Sequence, residues 1–283
     1  LYGIINGTAN YVLSRMADEG APLADVLAQA QRIGYAEADP SLDIDGADVA
    51  HKLAILLRLA FGVEPSPGAI YTEGIRDITP VDVEFAREFG FVIKLLAIAK
   101  AEGDEVLEAR VHPTMIPRAH LLADVKGATN AVYVRGEALG PMVFTGAGAG
   151  GAPTATAICA DIISIVRRLA GGGSLAREPG PRRASGGARK IKPMDRIRTH
   201  YYLRFGALDR PGVLSEIAGI LGRHDISISS VIQKGREEMG AVPLVMMTHD
   251  AEESNIRAAL REIDRLKVVA EPSRLIRIED RLS

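Results

Sequence analysis

One run of residues divides this chain before any helix or strand is considered. From Gly171 the sequence reads Gly-Gly-Gly-Ser, and after Leu175-Ala176 continues Arg-Glu-Pro-Gly-Pro-Arg-Arg-Ala-Ser-Gly-Gly-Ala-Arg-Lys. It offers almost nothing to bury, so it predicts a flexible, basic linker over 171–196. The 283 residues then separate into a larger part, 1–170, and a smaller one, 197–283. The basic residues of the linker read as solvated, because net charge is −2, with 34 Lys and Arg against 36 Asp and Glu. That balance offers no electrostatic footprint for a nucleic-acid partner. A single cysteine, Cys159, excludes an internal disulfide framework and makes a reducing cytoplasm the simplest compartment. Apolar stretches such as Leu53 to Phe61 and Phe91 to Ala99 are short and carry Arg58 and Lys94. No window reaches the roughly 18 apolar residues of a membrane span, and no signal peptide is expected. The chain opens on Leu1-Tyr2-Gly3-Ile4 without an initiator Met, which suggests a piece of something longer.

The part before the linker predicts helices first and strands later. Helical spacing runs from Thr8 to Asp18 and stops at Gly20; Pro22 suits a first turn, and Ala24 to Ile33 continues to Gly34. A loop from Tyr35 to Asp45 feeds a helix from Gly46 to Phe61, ended by Gly62. Strands are expected at Phe91–Lys100, Val106–His112, Ala131–Gly136 and Pro141–Thr145. A last helix, Thr154 to Leu169, carries an apolar stripe that includes Cys159, so this thiol reads as buried and structural. After the linker the order is strand, helix, strand, strand, helix, strand: 201–208, 211–223, 226–234, 244–249, 252–265 and 268–278. Two βαβ-like units in so short a segment predict a ferredoxin-like βαββαβ sandwich. The third strand is expected to start after Pro243, which cannot donate to a ladder. The fold class is α+β.

The informative stretch lies between Gly34 and Lys52, where Glu37, Asp39, Asp43, Asp45 and Asp48 precede one lysine. Aligning Gly46 with the invariant glycine of a calcium loop puts Ser41 at the first ligand position and Lys52 where the bidentate Glu belongs. A cation there would repel calcium, so that reading is rejected. Asp48 and Lys52 are one helical turn apart. As a surface ion pair they would contribute a few tenths of a kcal/mol. Against this, the helix continues Leu-Ala-Ile-Leu-Leu-Arg-Leu-Ala-Phe, apolar nearly all round, and its body is expected to be buried. Burial would then disfavour the charged amine while the carboxylates favour it, a competition that suits a general acid/base. A structural salt-bridge network and a catalytic lysine both remain open on these grounds.

Gly146-Ala147-Gly148-Ala149-Gly150-Gly151 matches G-x-G-x-x-G between a strand and a helix. No second strand ending in an acidic residue follows, so this is not the first turn of a Rossmann unit. A tight packing turn and a loop that lets backbone approach a cofactor held elsewhere are both compatible with it.

Four segments carry a family likeness: Ile-Ile-Asn-Gly-Thr-Ala-Asn-Tyr (4–11), Gly-Tyr-Ala-Glu-Ala-Asp-Pro (34–40), Asp-Ile-Asp-Gly-Ala-Asp-Val-Ala-His-Lys (43–52) and Gly-Ala-Gly-Ala-Gly-Gly-Ala-Pro-Thr-Ala (146–155). Together, and in this order, they resemble homoserine dehydrogenase. Asp209-Arg210-Pro211-Gly212-Val213-Leu214 and Ile226-Ser227-Ile228-Ser229-Ser230-Val231 resemble an ACT regulatory domain. The resemblance implies a catalytic, substrate-binding and dimerisation domain over 1–170 and an ACT domain over 197–283. It implies NAD- or NADP-dependent interconversion of L-homoserine and L-aspartate 4-semialdehyde, on the way to threonine and methionine.

Carried over by motif, Lys52 would donate and accept the proton, with Asp43 and Asp48 orienting it and binding polar substrate groups. Glu37 would hold the substrate ammonium, Tyr35, Gly7 and Thr8 would line the pocket, and Gly150 would approach the nicotinamide. The family's dinucleotide-binding domain, one further lysine and a backbone segment that binds sodium would precede Leu1. The chain by itself is therefore expected neither to bind NADPH tightly nor to turn over. In the tail the resemblance implies an amino-acid effector, threonine, bound near Asp209, Pro211, Gly212 and Val213, and a homo-oligomer, dimer or tetramer. The competing reading is a regulatory protein that binds an amino acid through its ACT domain alone; the intact Glu37, Asp43, Asp48 and Lys52 set argues for the enzyme.

Overall fold

A buried strand, β1 (Tyr2–Ile4), leads into α1 (Gly7–Glu19), which begins behind the Asn6 side chain capping the Ala9 amide. Ala9, Val12, Leu13 and Met16 recur at three- and four-residue steps and form the buried stripe of α1. The helix stops at Gly20, whose left-handed backbone returns its N–H to Met16. Helix α2 (Leu23–Arg32) starts behind Pro22 and buries Val26 and Ala30. The segment read as a loop contains a single helical turn, α3 (Ser41–Ile44), before α4 (Ala47–Phe61) and its terminator Gly62. Only Val49, Leu53 and Leu57 of α4 are buried, while Ile55 and Leu59 are 60% and 61% exposed. The expectation of a wholly buried helix body is thus corrected: the apolar residues outnumber the positions on the covered face.

The chain continues through β2 (Tyr71–Thr72), α5 (Pro80–Glu88), β3 (Phe91–Glu102), β4 (Val106–Pro117), β5 (Thr129–Gly136), β6 (Gly140–Ala147), α6 (Gly151–Ala170) and β7 (Lys190–Ile191). Then come β8 (Arg198–Leu208), α7 (Val213–Arg223), β9 (Ile228–Gln233), β10 (Ala241–Thr248), β11 (Ala251–Glu252), α8 (Glu253–Ile263) and β12 (Val269–Ile278). The computed structural model describes residues 1–65, 68–171, 189–233 and 241–280. Most of the expected linker, and Lys234 at the end of one expected strand, lie outside the described residues. The last part of the expected linker is ordered. Lys190 and Ile191 pair with Val106 and Leu107 of β4, and a 3-10 turn follows at Met194–Arg196.

Two units emerge, and each gathers separate stretches of sequence. The first takes Leu1–Pro80, Leu95–His112 and Leu121–Ile191; the second takes Val81–Lys94, Pro113–His120 and Lys192–Ser283. In the first, strands run in the order β6-β5-β1-β3-β4. Strand β1 is antiparallel to both neighbours, with Gly3 opposite Ala97 and Val132. The register suits the sequence: β3 and β4 read as near-continuous buried runs from Ile93 to Ala99 and from Leu107 to Ile116.

In the second unit the order β12-β8-β10-β9 gives the expected βαββαβ sandwich. Tyr201, Leu203 and Phe205 alternate along β8 and pack with Ile217 of α7 and Ile256 and Ile263 of α8. One step out of phase, Tyr202 and Arg204 meet Asp82 of α5, a helix the sequence reading did not find. The Tyr202 hydroxyl donates to Asp82 Oδ1 at 3.1 Å and Arg204 Nε donates to it at 2.7 Å. Burial, reinforced by the Asp82 charge, pushes the Tyr202 hydroxyl well above its ordinary range.

Two further expectations are overturned. Pro243 lies inside β10, opposite Gly206 of β8, where the described pairing to β9 begins one residue later at Leu244. A proline removes one ladder donor on one side of its strand only, and Val242 and Leu244 on either side keep the pairing to β8. Cys159 is exposed, and none of the residues of α6 is buried. The apolar stripe that suggested a buried thiol is there, but Ile158, Ile162 and Val166 each remain about half exposed.

Candidate active site

Four segments of the first unit converge on one cleft of about 800 Å³. They are the β1–α1 turn (Asn6, Gly7, Thr8), the end of the α2 loop (Gly34, Tyr35), the α3–α4 region (Asp43, Asp48, Lys52) and the backbone at 128–130 and 145–150. Local sequence explains each approach. Asn10, buried on α1, donates its side-chain amide to the carbonyls of Val125, Gly127 and Thr129 at 3.1, 2.9 and 3.3 Å, which pins the loop that brings Ala128 to Asn130 to the cleft. Behind α3, the Arg76 guanidinium holds Asp45 and reaches Ser41, and Ile75 N–H donates to Ile44 at 2.8 Å. Only glycine fits at the next position back, since a Cβ on Gly74 would sit 2.1 Å from the Ile44 carbonyl oxygen. The junction that aims Asp43 and Asp48 is therefore buttressed from outside.

Lys52 points its amine into the cleft. Nζ lies 2.8 Å from Asp48 Oδ2, one turn back on α4, and donates to the Ile5 carbonyl at 3.1 Å. The lysine side chain is 45% exposed and that of Asp48 29%, so the expected desolvation is partial. Asn6 Nδ2 donates to Asp43 Oδ1 at 2.7 Å and to Asp48 Oδ2 at 2.9 Å. Thr8 donates its hydroxyl to the Tyr35 carbonyl at 3.1 Å, and the Tyr35 ring leans on Tyr11 with centroids 5.1 Å apart. A cationic amine, two carboxylates and hydroxyl or amide donors around one opening can bind a polar zwitterion and pass a proton to it.

The glycine loop forms the facing wall. Gly150 has φ 120°, a conformation that strains any residue with a Cβ, and it starts α6 with no side-chain cap. A Cβ on Gly148 would lie 1.8 Å from Asn130 Nδ2. Bare glycine backbone thus faces the cleft. Strand β6 is antiparallel to β5 here, so the loop is not part of a parallel dinucleotide-binding unit.

Seven of the eight expected residues, Lys52, Asp43, Asp48, Tyr35, Gly7, Thr8 and Gly150, line this cleft together. Glu37 is exposed on the neighbouring loop, outside the residues that line it. Asn6 and Asn130 were not singled out from sequence. Asn before Gly-Thr at the head of an amphipathic helix is an N-cap signal that could have drawn attention to Asn6.

In the second unit a smaller cavity of about 200 Å³ opens at the start of α7, lined by Pro211, Gly212 and Val213 with Arg210, Gln233 and Leu244. Gly212, at φ 94°, turns the chain into the helix. Asp209 is not part of the lining; it accepts from Gln233 Nε2 at 3.1 Å. Arg210 and Gln233 are additions to the sequence-based set.

Known proteins match this arrangement over nearly the whole chain. The homoserine dehydrogenase family profile covers residues 1–163, and the ACT domain profile covers 201–268. Homoserine dehydrogenase of Neisseria gonorrhoeae is 44% identical over 98% of this chain and 64% of its own length. The same enzyme of Mycobacterium tuberculosis H37Rv is 40% identical, again over 98% and 64%. A crystal structure of homoserine dehydrogenase from Thiobacillus denitrificans superposes with a TM-score of 0.89 at 46% identity, covering 99% of this chain and 63% of that one. The chain thus spans slightly less than two thirds of the length of these relatives.

Proposed function

The chain belongs to the homoserine dehydrogenase family and carries an ACT domain behind the family domain, and from that premise we propose that its protein interconverts L-homoserine and L-aspartate 4-semialdehyde with NAD or NADP. The observation that carries this reading is the Lys52–Asp48 pair, joined to Asp43 through Asn6, at the mouth of a cleft walled by bare glycine backbone.

That wall fits the close approach of one end of a nicotinamide cofactor, because side chains are excluded at Gly148 and Gly150. When bound, the cofactor supplies or takes up the hydride. The chain's own groups handle the rest. Lys52 Nζ gives a proton to the aldehyde oxygen as it becomes an alkoxide, and receives it back in the oxidative direction. Asp48 holds that amine in place, and Asp43 offers a second carboxylate to polar substrate groups. Glu37, on the loop beside Tyr35, takes the substrate ammonium. Thr8 and Tyr35 close one side of the pocket, with Gly7 leaving room at the helix start. Sodium, which the resemblance implies for a backbone segment before Leu1, is assigned no ligand among these residues.

The smaller cavity is assigned to an amino-acid effector, threonine, with its carboxylate at the α7 N-terminus and Arg210 beside it. Among the described residues no helix is long and apolar enough to cross a membrane. Family likeness supports a cytoplasmic enzyme and a homo-oligomer, dimer or tetramer. Homoserine titrated into isotopically labelled protein tests the substrate site. Amide signals of Thr8, Asp48 and Lys52 are expected to move, and shifts confined to residues outside the cleft would overturn the assignment.

A further inference from the structure

Asn6 is the only side chain among those lining the cleft that bonds to both carboxylates beside the lysine. Its Nδ2 carries two hydrogens, and each goes to a different acid: Asp43 Oδ1 at 2.7 Å and Asp48 Oδ2 at 2.9 Å. The Asp48 oxygen it binds is the one that also receives Lys52 Nζ, at 2.8 Å. The other end of the amide is committed. Asn6 Oδ1 accepts from the Ala9 N–H at 2.8 Å as the cap of α1, which fixes the amide with its nitrogen toward the acids. The side chain is 5% exposed, so water does not compete freely for these bonds. The preceding residue contributes the other contact of the lysine, the Ile5 carbonyl at 3.1 Å.

We propose that Asn6 is a positioning residue for the reaction: it bridges two like charges that would otherwise repel, and so sets where Asp48 holds the Lys52 amine. This inference rests on the reading of Lys52 as the proton donor. It assigns Asn6 a role that capping alone does not need, because serine or aspartate caps a helix equally well. It also separates orientation from binding, since both Asn6 Nδ2 hydrogens go to the acids and Oδ1 already caps α1.

Asn6→Asp keeps size, shape and the capping oxygen and removes only the donor, placing a third carboxylate against Asp43 and Asp48. Asn6→Ser keeps a cap and loses the reach. In the whole protein, kcat is expected to fall about 10²-fold in both variants. KM for homoserine should stay within about 3-fold and thermal stability of Asn6→Ser near that of the parent. Turnover within about 3-fold of the parent in both would overturn the proposal.

A second readout needs no turnover. The Asn6 side-chain NH₂ signals, followed by NMR in the parent chain, Asp43→Asn and Asp48→Asn, should move in each variant as one of the two acceptors loses its charge. Signals that stay constant would overturn the bridge. Failure of the underlying reading shows elsewhere, as a Lys52→Ala variant with unchanged kcat.

Discussion

Asp48 Oδ2 receives two donors, Lys52 Nζ at 2.8 Å and Asn6 Nδ2 at 2.9 Å, and that crowding says more about function than about stability. An exposed i,i+4 ion pair stabilises a helix by only about 0.2–0.5 kcal/mol. With side chains 45% and 29% exposed, this one is no stronger, and the proposed proton transfer is what gives the arrangement a role. The half of this arrangement that lies within four residues was legible from spacing alone. Asn6 was not, because its partners lie 37 and 42 residues away and only the fold brings them to it. Glu37 poses the opposite case: its motif marks it, yet it stands exposed beside the cleft. If it captures the substrate ammonium, Glu37→Gln removes a charge-assisted bond. KM for homoserine should then rise about 10- to 100-fold with kcat changed far less. An unchanged KM would show that the ammonium is held by another group.

Pro243 and Cys159 mark where pattern reading of whole elements breaks down. A proline looks like a strand breaker although it costs the ladder only one donor, and a helix stripe shows which residues are apolar but not what covers them. The segment expected to bury Cys159 leaves it open. In the native 283-residue chain, Cys159 is therefore expected to react with a thiol reagent as fast as in denatured protein; strong protection would contradict the exposed helix. Helix stops at Gly20 and Gly62 were readable because left-handed backbone at a helix end selects glycine.

One junction no pattern revealed is Glu253, at the head of α8, with Arg277 of β12. Arg277 Nη2 and Nε donate to the two Glu253 oxygens at 2.6 and 2.9 Å, and Arg257 adds a bond at 2.9 Å. Burial alone would raise the Glu253 carboxyl, but Arg277 and then Arg257 outweigh it and hold it below its ordinary value of 4.5. A carboxyl depressed in the folded state stabilises above its ordinary range and loses that contribution as pH falls through the folded value. Thermal melts should thus show the parent losing stability below pH 4.5. Glu253→Gln should be less stable by about 3–5 kcal/mol at neutral pH, with a flatter acid dependence. Equal melting of the two at pH 7 would contradict a stabilising pair.

Across the molecule, both fold types followed from the order of periodic segments, but the grouping of residues into units did not. Residues 81–94 and 113–120 belong with the ACT unit although they lie far from it in sequence, and Asp82 shows why. Its short helix has little periodicity of its own and finds its place through Arg204 and Tyr202. At this scale the effector site is testable. Millimolar threonine should raise the melting temperature of the whole protein, and Arg210→Ala should abolish the shift; a parent unmoved by threonine would rule it out as effector.

Lys52 is proposed to move a proton rather than only to hold charge. The direct measurement is kcat for homoserine oxidation by the whole protein with NADP, for the parent, Lys52→Ala and Lys52→Arg. Arginine keeps the cation but does not release a proton. Losses of about 10²- to 10⁴-fold are expected in both variants, with KM nearly unchanged. A Lys52→Arg variant that turns over within about 3-fold of the parent would contradict proton transfer by Lys52.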